Sequence, residues 1–455
     1  MRQDQALAIL QSGANTFITG APGSGKTYLL NRFIAEEKNI GKNIAITAST
    51  GIAATHLNGQ TLHSWSGLGI ATSLTDDLYK QIRTRRKKAI NAADVLIIDE
   101  VSMIPAWLFD LVDQVCRKIR NDSTPFGGLQ VVLSGDFYQL PPVVKAWQHS
   151  SQHDVKTEEF RNRYKDRNPD GFITESFVWS QMGLQICYLT EQHRQNNGEL
   201  LTVLTDIRQG TITDHDRNIL LSRCHQVPLE DQVAVRLFPT NVQADRLNDQ
   251  RLADLAGEEH VFLTESFGQS VTVKKLKQSV LAPDHLILKQ GAAVMALRND
   301  LEHHYVNGSL GTVIDFLPES KGGYPLVEFE NGYITVIRPA SWKMMDGETT
   351  LAEVTQIPLR CAWGITIHKS QGMTLDAAMM DLRRTFTAGM GYVALSRVET
   401  LQGLFLEDIN EKAFLISPYA QQLDQELKDL SESVVQQLET EGIDSFSFAS
   451  GSSLF

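Results

Sequence analysis

The feature that most constrains the fold of this chain is a glycine-rich turn between a strand-like run and a helical run. The apolar run NTFITG leads into GAPGSGKT, from Gly20 to Thr27, and YLLNRFIAEE follows. The turn matches the pattern G-x-x-x-x-G-K-[ST], in which glycines let backbone N–H groups face phosphate oxygens. Because such a loop joins the end of a strand to the start of a helix, it predicts an α/β fold with a phosphate site at one edge of a sheet.

Apolar strand-like runs recur along the chain and alternate with helical stretches. After NTFITG come NIAITAS, DVLIIDE and LQVVLSGD, and a second set follows as VAVRLFPT, QGAAVMAL, IPLRCAWGITIH, AAMMDL and LFLEDI. Near-continuous apolar strands separated by helices indicate parallel sheets that are covered on both faces. Since 455 residues leave room for two or three domains, we predict two α/β layers.

The apolar residues change to a period of two near Val313. The stretch PLVEFENGYITVI surrounds Asn331-Gly332, a dipeptide that favours a tight hairpin turn. We therefore predict that a small β module is inserted there.

Charge is distributed unevenly along the chain. The net charge of −12 argues against a surface coated in positive charge for nucleic acid. From Gln421 onward, seven acids stand against Lys428 alone. We expect residues 419–455 to form an acidic, flexible tail, with a protein as its possible partner. The cluster KQIRTRRKK, Lys80 to Lys88, leaves two interpretations open, a solvated helix face and a contact with phosphates.

Other features narrow the class of protein. The four cysteines have neither metal-ligand nor redox spacing, so we expect a reduced protein without zinc. No apolar run has the length of a membrane span, and the first residues, MRQDQALAIL, lack the pattern of a secretion signal. These features favour a cytoplasmic location.

Acids and a glutamine follow two other strands of the first set. Asp99 and Glu100 end DVLIIDE, and Asp136 and Gln139 lie in LSGDFYQLPP. Because ligands collect at the carboxyl ends of parallel strands, we expect these side chains near the phosphate loop. Lys26 would contact the β- and γ-phosphates of ATP, and Thr27 and Asp99 would hold Mg²⁺. Glu100 would polarise the attacking water, and Gln139 would contact the γ-phosphate.

A series of motifs runs in order through roughly residues 3 to 408. They read GAPGSGKT, ASTGIAATHLNGQTLHS, LIIDEVSMI, GDFYQLPPV, LTEQHRQ, PTNVQADRLN, YVNGSLGTVIDF, WGITIHKSQGMTL and GYVALSRV. The series resembles the Pif-type (petite integration frequency family) superfamily-one helicases, close to the RecD-like branch. The stretch LFDLVDQVCRKIRNDSTPFGGLQ is similar to the signature that separates this family from its relatives.

The resemblance implies a fold and an activity. The fold would be α/β, with two RecA-like P-loop motor domains, a small wedge insertion in SWSGLGIAT and an SH3-like β insertion. ATP and Mg²⁺ would lie between the motor domains, and single-stranded DNA would lie across the top. The activity would be ATP-dependent 5′-to-3′ translocation and unwinding of duplex or structured DNA.

The resemblance also assigns residues by motif position. Arg194 and Arg397 match the two arginines of the second motor domain, which would stabilise transition-state charge. The residues implied to bind the nucleotide are Gln3, which matches an adenine-reading glutamine, Gly20, Pro22, Gly23, Ser24, Gly25, Lys26, Thr27 and Gly372. The residues implied to bind single-stranded DNA are Thr50, Gly51, Thr61, His63, Trp65, Asn241, His368, Lys369 and Ser370.

The motifs also suggest domain boundaries. Residues 1–186 would form the first motor domain, with the wedge at about 65–80. Residues 187–310 and 351–418 would form the second motor domain, and residues 311–350 the SH3-like insertion. We expect a monomer that binds single-stranded DNA and junctions between single and double strands.

Alternative functions remain open. The chain could be a translocase subunit of a RecD-like complex that unwinds only with partners. It could be a P-loop ATPase that remodels protein, although such an ATPase usually takes an arginine from a partner, whereas Arg194 and Arg397 belong to this chain. A DNA-binding scaffold with an inactive motor is disfavoured by Lys26, Asp99 and Glu100.

Overall fold

The structure is a computed structural model that describes residues 1–50, 53–54, 57, 59–69, 71–142, 164–191, 198–228, 234–280, 282–298, 300, 304–305, 308–346, 349–373 and 375–446. Its chain divides into two compact units. Unit 1 contains the described residues of Met1–Arg223, Thr385–Leu401 and Ile409–Phe455. Unit 2 contains those of Cys224–Arg384 and Gln402–Asp408.

The strands, numbered along the chain, belong to both units. They are β1 Thr16–Gly20, β2 Ile44–Ala48, β3 Gln60–Thr61, β4 Val95–Asp99, β5 Gln130–Ser134, β6 Gln185–Leu189, β7 Val235–Phe238, β8 His260–Leu263, β9 Glu265–Gly268, β10 His285–Leu288, β11 Ala293–Ala296, β12 Leu310–Phe316, β13 Pro325–Phe329, β14 Ile334–Val336, β15 Ala340–Asp346, β16 Thr349–Gln356, β17 Leu359–Cys361, β18 Gly364–Thr366, β19 Ala378–Leu382 and β20 Leu404–Ile409.

The α-helices are numbered in the same way. They are α1 Gln3–Gln11, α2 Lys26–Asn39, α3 Leu62–Ser66, α4 Asp76–Ala92, α5 Ala106–Arg120, α6 Gly198–Gln209, α7 Asp214–Leu221, α8 Asn241–Asp254, α9 Ser270–Ser279, α10 Ile367–Ser370, α11 Met390–Leu395 and α12 Pro418–Glu441.

Unit 1 is built around a six-stranded parallel sheet with strand order β3-β2-β4-β5-β1-β6. Its apolar strands bury side chains on both faces, because Leu96 and Ile98 of β4 join one core cluster and Val95 and Ile97 join the other. Helices α3, α4 and α5 contribute to the first cluster, and α1 and α2 contribute to the second. The predicted parallel sheet with two covered faces is confirmed for this unit.

The C-terminal segment of unit 1 differs from the expected flexible tail. Helix α12 begins after Ser417, whose side chain accepts the N–H of Ala420, and Pro418 occupies its first turn. Leu423 and Leu427 join the first core cluster of unit 1. The prediction of a flexible segment is therefore wrong for residues 419–441.

The acids of α12 are compatible with a packed helix, because most of them lie on its exposed face. Glu426, Asp429, Glu432 and Glu439 are exposed, whereas the apolar face of α12 is buried in unit 1. The hydroxyl of Ser431 accepts the backbone N–H of Tyr188 at 3.0 Å, so α12 also supplies a hydrogen bond to the edge strand β6.

Unit 2 combines a sheet that contains parallel strand pairs with antiparallel sheets. Strand β7 pairs in parallel with β18 and with β19, in a sheet of order β18-β7-β19-β20. The antiparallel sheets have the orders β14-β13-β12-β11-β17, β15-β16-β9 and β10-β8. The predicted hairpin is confirmed, because β13 and β14 pair across Asn331-Gly332 and Gly332 has a φ of 80°.

The two units differ from the predicted domain boundaries. Unit 1 continues past residue 186 to Arg223 and takes in Thr385–Leu401, both of which were assigned to the second motor domain. The antiparallel strands of unit 2 run from His260 to Cys361, well outside the predicted insertion at 311–350. Within the described ranges, no helix is both long enough and apolar enough to cross a membrane.

Candidate active site

Strands β4, β5 and β1 are neighbours in the sheet of unit 1, and their carboxyl ends carry the predicted catalytic residues. Ile18 of β1 pairs with Ser134 of β5, and Leu133 of β5 pairs with Ile98 of β4. The N–H of Gly135 donates to the carbonyl of Ile18 at 3.1 Å. The loops that follow these strands therefore leave the sheet at the same edge. Ligand sites of parallel sheets lie at this edge.

The phosphate loop depends on glycine at two positions. Gly20 has a φ of 144°, and a Cβ there would lie 2.7 Å from the carbonyl oxygen of Leu189. Gly25 is left-handed, with a φ of 83°, and is the N-cap of α2. The loop therefore turns directly into a helix N-terminus, where backbone N–H groups favour an anion.

Lys26 folds back over this loop. Its ammonium donates to the carbonyl of Gly20 at 2.8 Å and to that of Ala21 at 3.1 Å. Burial lowers the pKa of Lys26, and the nearby Asp136 carboxylate opposes the shift. A cation held in a desolvated loop suits the binding of phosphate.

Other loop residues have the places that the sequence predicts. The side chain of Ser24 is buried, and its Oγ has no hydrogen-bond partner in the described part of the chain. Gln3 donates from Nε2 to the carbonyl oxygens of Ser24, at 3.3 Å, and Gly25, at 3.5 Å, so α1 reaches the loop. Thr27 is exposed at the start of α2, and Pro22 and Gly23 are partly exposed in the turn.

Asp99 and Glu100 form a pair of acids at the end of β4. Burial, together with the neighbouring Glu100, raises the pKa of Asp99 to about 7, and a hydrogen bond from Ser134 opposes this shift. A desolvated carboxyl group next to a second acid suits a hard cation such as Mg²⁺. In the described ranges, no group of three or more His, Cys, Asp or Glu side chains could hold a metal by itself. An ion held by Asp99 and the Thr27 hydroxyl would take its remaining ligands from phosphate and water.

Gln139 lies in a tight turn after β5. It is 6% exposed, and its Oε1 has no hydrogen-bond partner among the residues that the structure describes. Its N–H donates to the carbonyl of Asp136 at 3.0 Å. A buried amide oxygen of this kind calls for an explanation, and a ligand at the sheet edge would provide one.

The structure describes one of the two predicted arginines. Arg194 lies outside the described residues. Arg397 follows α11 in unit 1 and is 5% exposed. Its guanidinium donates to the carbonyl of Val393 and to the hydroxyl of Ser396, both at 2.9 Å.

The DNA-binding residues predicted for unit 1 lie at the ends of β2 and β3. The hydroxyl of Thr50 accepts the N–H of Ala53, and that of Thr61 accepts the N–H of Ser64. Both threonines thus have a structural role, and each hydroxyl can still donate. His63 is partly exposed on α3, and Gly51 lies outside the described residues.

Trp65 differs from the prediction. It is 3% exposed and belongs to the first core cluster of unit 1. Its place on the buried face of α3 leaves no ring face for a base to stack on. The prediction that Trp65 contacts DNA is not supported by this placement.

The DNA-binding residues predicted for unit 2 meet at the ends of β7 and β18. The ammonium of Lys369 donates to Oδ1 of Asn241 at 3.1 Å. Burial lowers the pKa of Lys369 to about 8, with Arg360 adding to the shift, and burial also lowers the pKa of His368. Ser370 is fully buried and donates to the carbonyl of Ile367, so its hydroxyl does not face a DNA strand. Gly372 has a left-handed φ of 82°.

Known proteins of one family are similar to this chain in sequence. A family model described as PIF1-like helicase matches residues 4–218. A protein of Psychrobacter sp. (strain PRwf-1), named ATP-dependent DNA helicase Pif1, is 38% identical to the chain, and the alignment covers 100% of this chain and 76% of that protein. The chain belongs to the PIF1-like helicase family.

Solved structures of the PIF1-like family have the same fold. The Pif1 helicase of Candida albicans gives a TM-score of 0.83 at 32% identity and covers 93% of this chain and 98% of that one. Pif1 from Bacteroides, in complex with ADP-AlF3 and single-stranded DNA, gives 0.77 at 30% identity and covers 95% and 97%. The predicted family and the RecA-like α/β fold are confirmed, whereas the wedge and SH3-like insertions remain predictions.

One buried arginine was not predicted from the sequence, and it joins the predicted Asp136 to Asp424. Arg208 of α6 is buried between Asp136 and Asp424. Its position in the sequence could have indicated burial, because it follows Ile207 on a helix with a buried apolar face. The buried apolar residues of that helix are Leu200, Val203, Leu204 and Ile207. An arginine on a buried face needs an acidic partner, but the spacing did not say which one.

Proposed function

We propose that this chain is an ATP-dependent DNA helicase that moves 5′-to-3′ on single-stranded DNA. The observation that carries the proposal is the meeting of the phosphate loop, Asp99, Glu100 and Gln139 at the ends of three neighbouring strands. Membership of the PIF1-like family supports it, since the Psychrobacter relative is named an ATP-dependent DNA helicase.

The residues of unit 1 suit hydrolysis of a nucleoside triphosphate. When bound, Mg²⁺ neutralises phosphate charge and ATP supplies the scissile bond. Lys26 and the N-terminus of α2 bind phosphate, and Thr27 and Asp99 provide the oxygen ligands for the ion. Glu100 orients and activates water, and the unsatisfied Oε1 of Gln139 accepts a hydrogen bond at the same edge.

Polar side chains in both units suit a DNA backbone. Thr50, Thr61 and His63 provide donors in unit 1, and Asn241 and Lys369 provide donors in unit 2. Direction of movement is inferred from the family resemblance. A monomeric state, a cytoplasmic location and a partner for the exposed acids of α12 remain predictions of the sequence.

The test of this proposal is ATP hydrolysis by the purified full-length chain with and without single-stranded DNA. A helicase should hydrolyse ATP with Mg²⁺ and do so faster when single-stranded DNA is added. An ATPase that remodels protein should be indifferent to DNA, and that result would contradict the proposal. A translocase subunit of a RecD-like complex should show DNA stimulation but no unwinding by the isolated chain.

A further inference from the structure

Arg208 connects two buried acids that lie far apart in the sequence. Its two terminal nitrogens donate to Oδ2 of Asp136 and to Oδ1 of Asp424, each at 2.8 Å. The side chains of Arg208, Asp136 and Asp424 are 7%, 0% and 6% exposed. An arginine fork is well suited to bridging two carboxylates, whereas a lysine is a single point of charge.

Hydroxyl groups complete the surroundings of this arginine. The hydroxyl of Tyr392 donates to Asp136, and that of Tyr188 donates to Asp424, at 3.1 and 2.9 Å. Each of these hydroxyls also accepts from Arg208, at 3.0 and 3.1 Å. The guanidinium carbon lies 4.2 Å from the ring centroid of Tyr138. Asp136 and Asp424 thus each accept hydrogen bonds from Arg208 and from a tyrosine, which restricts the geometry of the group.

Asp136 belongs to the turn that presents Gln139. While its Oδ2 accepts from Arg208, its Oδ1 accepts the N–H of Tyr138 at 3.1 Å. The carbonyl of Asp136 accepts the N–H of Gln139. The orientation of one carboxylate therefore sets the path of the turn between β5 and the buried amide of Gln139.

A second contact supports the same turn. A Cβ on Gly389 would lie 2.6 Å from the carbonyl oxygen of Tyr138, so the backbone before α11 lies directly against the turn. Asp424 brings α12 into the arrangement from the C-terminal side, with Lys428 at 2.8 Å from its other oxygen.

We propose that Arg208 is a positioning residue for ATP hydrolysis, and that Asp424 of α12 orients Arg208 so that Asp136 holds Gln139 at the edge of the sheet. This inference rests on the proposed function, because it concerns the turn that serves the nucleotide site. It assigns the C-terminal helix a part in the motor.

The test compares Arg208→Lys and Asp424→Asn with wild type in the full-length chain. Steady-state ATP hydrolysis with single-stranded DNA gives kcat and KM, and binding of a non-hydrolysable ATP analogue is measured separately. Misplacement of a catalytic group by about 1 Å costs on the order of 10²-fold in rate, so Arg208→Lys should lower kcat by about that factor. Affinity for the analogue should stay close to that of wild type, since Lys26 and the loop are intact.

A double-mutant cycle separates positioning from general stability. If Arg208 acts through Gln139, adding Arg208→Lys to Gln139→Ala should lower kcat little further. Losses that multiply in the double variant would overturn the inference, and so would an Arg208→Lys protein with wild-type kcat. Leu430→Ala, at an exposed position of the same helix, is the control and should keep the kcat of wild type.

Folding is checked by near-ultraviolet circular dichroism. If Arg208→Lys fails to fold, Asp424→Asn replaces it in the cycle with Gln139→Ala. Asparagine has the size of aspartate and keeps an Oδ1 acceptor. A kcat equal to wild type for that variant would overturn the inference. A wild-type chain without DNA-stimulated hydrolysis would instead overturn the proposed function, so the two failures are distinguished by measuring wild type first.

Discussion

At the scale of single residues, substitution of Lys26 should reduce ATP hydrolysis and leave DNA binding intact. Lys26→Ala removes the ammonium that covers the phosphate loop, while Thr50, Thr61 and Lys369 are unchanged. We expect kcat for ATP to fall by at least about 10²-fold and the affinity for single-stranded DNA to stay near that of wild type. The measurements are ATP hydrolysis and fluorescence anisotropy with labelled DNA.

The matched control for that variant is Lys38→Ala, an exposed lysine in the last turn of the same helix. It should leave both quantities unchanged. A loss of DNA affinity as large as the loss of turnover, in folded Lys26→Ala without nucleotide, would contradict the separation of the two sites.

Lys369 gives a prediction for pH. Its pKa of about 8 means that it is mostly charged at pH 7 and loses its charge as the pH rises to 9. If Lys369 contacts phosphate, affinity for single-stranded DNA should fall over that range, and bound phosphate will shift the fall to a higher pH. Lys369→Arg keeps its charge throughout and should flatten this part of the profile. An identical fall in the arginine variant would show that another group is responsible.

Single residues also show where sequence reasoning succeeds and where it stops. Gly20, Lys26 and Asp99 were predictable because a local pattern fixes both the residue type and its position after a strand. Arg208 was not, because its acidic partners are 72 and 216 residues away in the chain. Trp65 shows the opposite error, since its ring belongs to a core cluster whose members come from strands and helices throughout unit 1.

At the scale of secondary-structure elements, α12 is part of the core of unit 1. Leu427 is 3% exposed, whereas Leu430 on the same helix is 53% exposed. Leu427→Ala should reduce the free energy of unfolding by about 2–5 kcal/mol, and Leu430→Ala by no more than about 0.5 kcal/mol. Urea denaturation, followed by circular dichroism, measures both. Equal effects of the two substitutions would contradict the packing of α12 on unit 1.

The same helix shows how two sequence signals can conflict. Leu423, Leu427, Val434 and Leu438 recur at helical spacing, and Pro418 stands at a helix start. The excess of acids pointed instead to disorder. The spacing of the apolar residues predicted the structure better than the number of acids did. Most of those acids can remain in water on the exposed face of a packed helix.

At the scale of the whole molecule, the sequence predicted the class of fold better than the division of the chain. Local patterns predicted the parallel strands and the phosphate loop, and unit 1 contains both. The extent of each unit was harder to predict, because residues 385–401 and α12 reach unit 1 only through contacts with distant parts of the chain. A periodic pattern shows that an element has a buried face, but it does not show which distant element that face packs against.

The helicase assignment is tested most directly by strand separation with tailed duplexes. The full-length chain, ATP and Mg²⁺ are mixed with a duplex carrying a 5′ single-stranded tail, a 3′ tail or no tail, and release of a labelled strand is followed. Lys26→Ala serves as the control for dependence on hydrolysis. The helicase assignment predicts rapid release from the 5′-tailed duplex by wild type alone and little release from the other two. Preference for the 3′ tail, or equal release by Lys26→Ala, would contradict it.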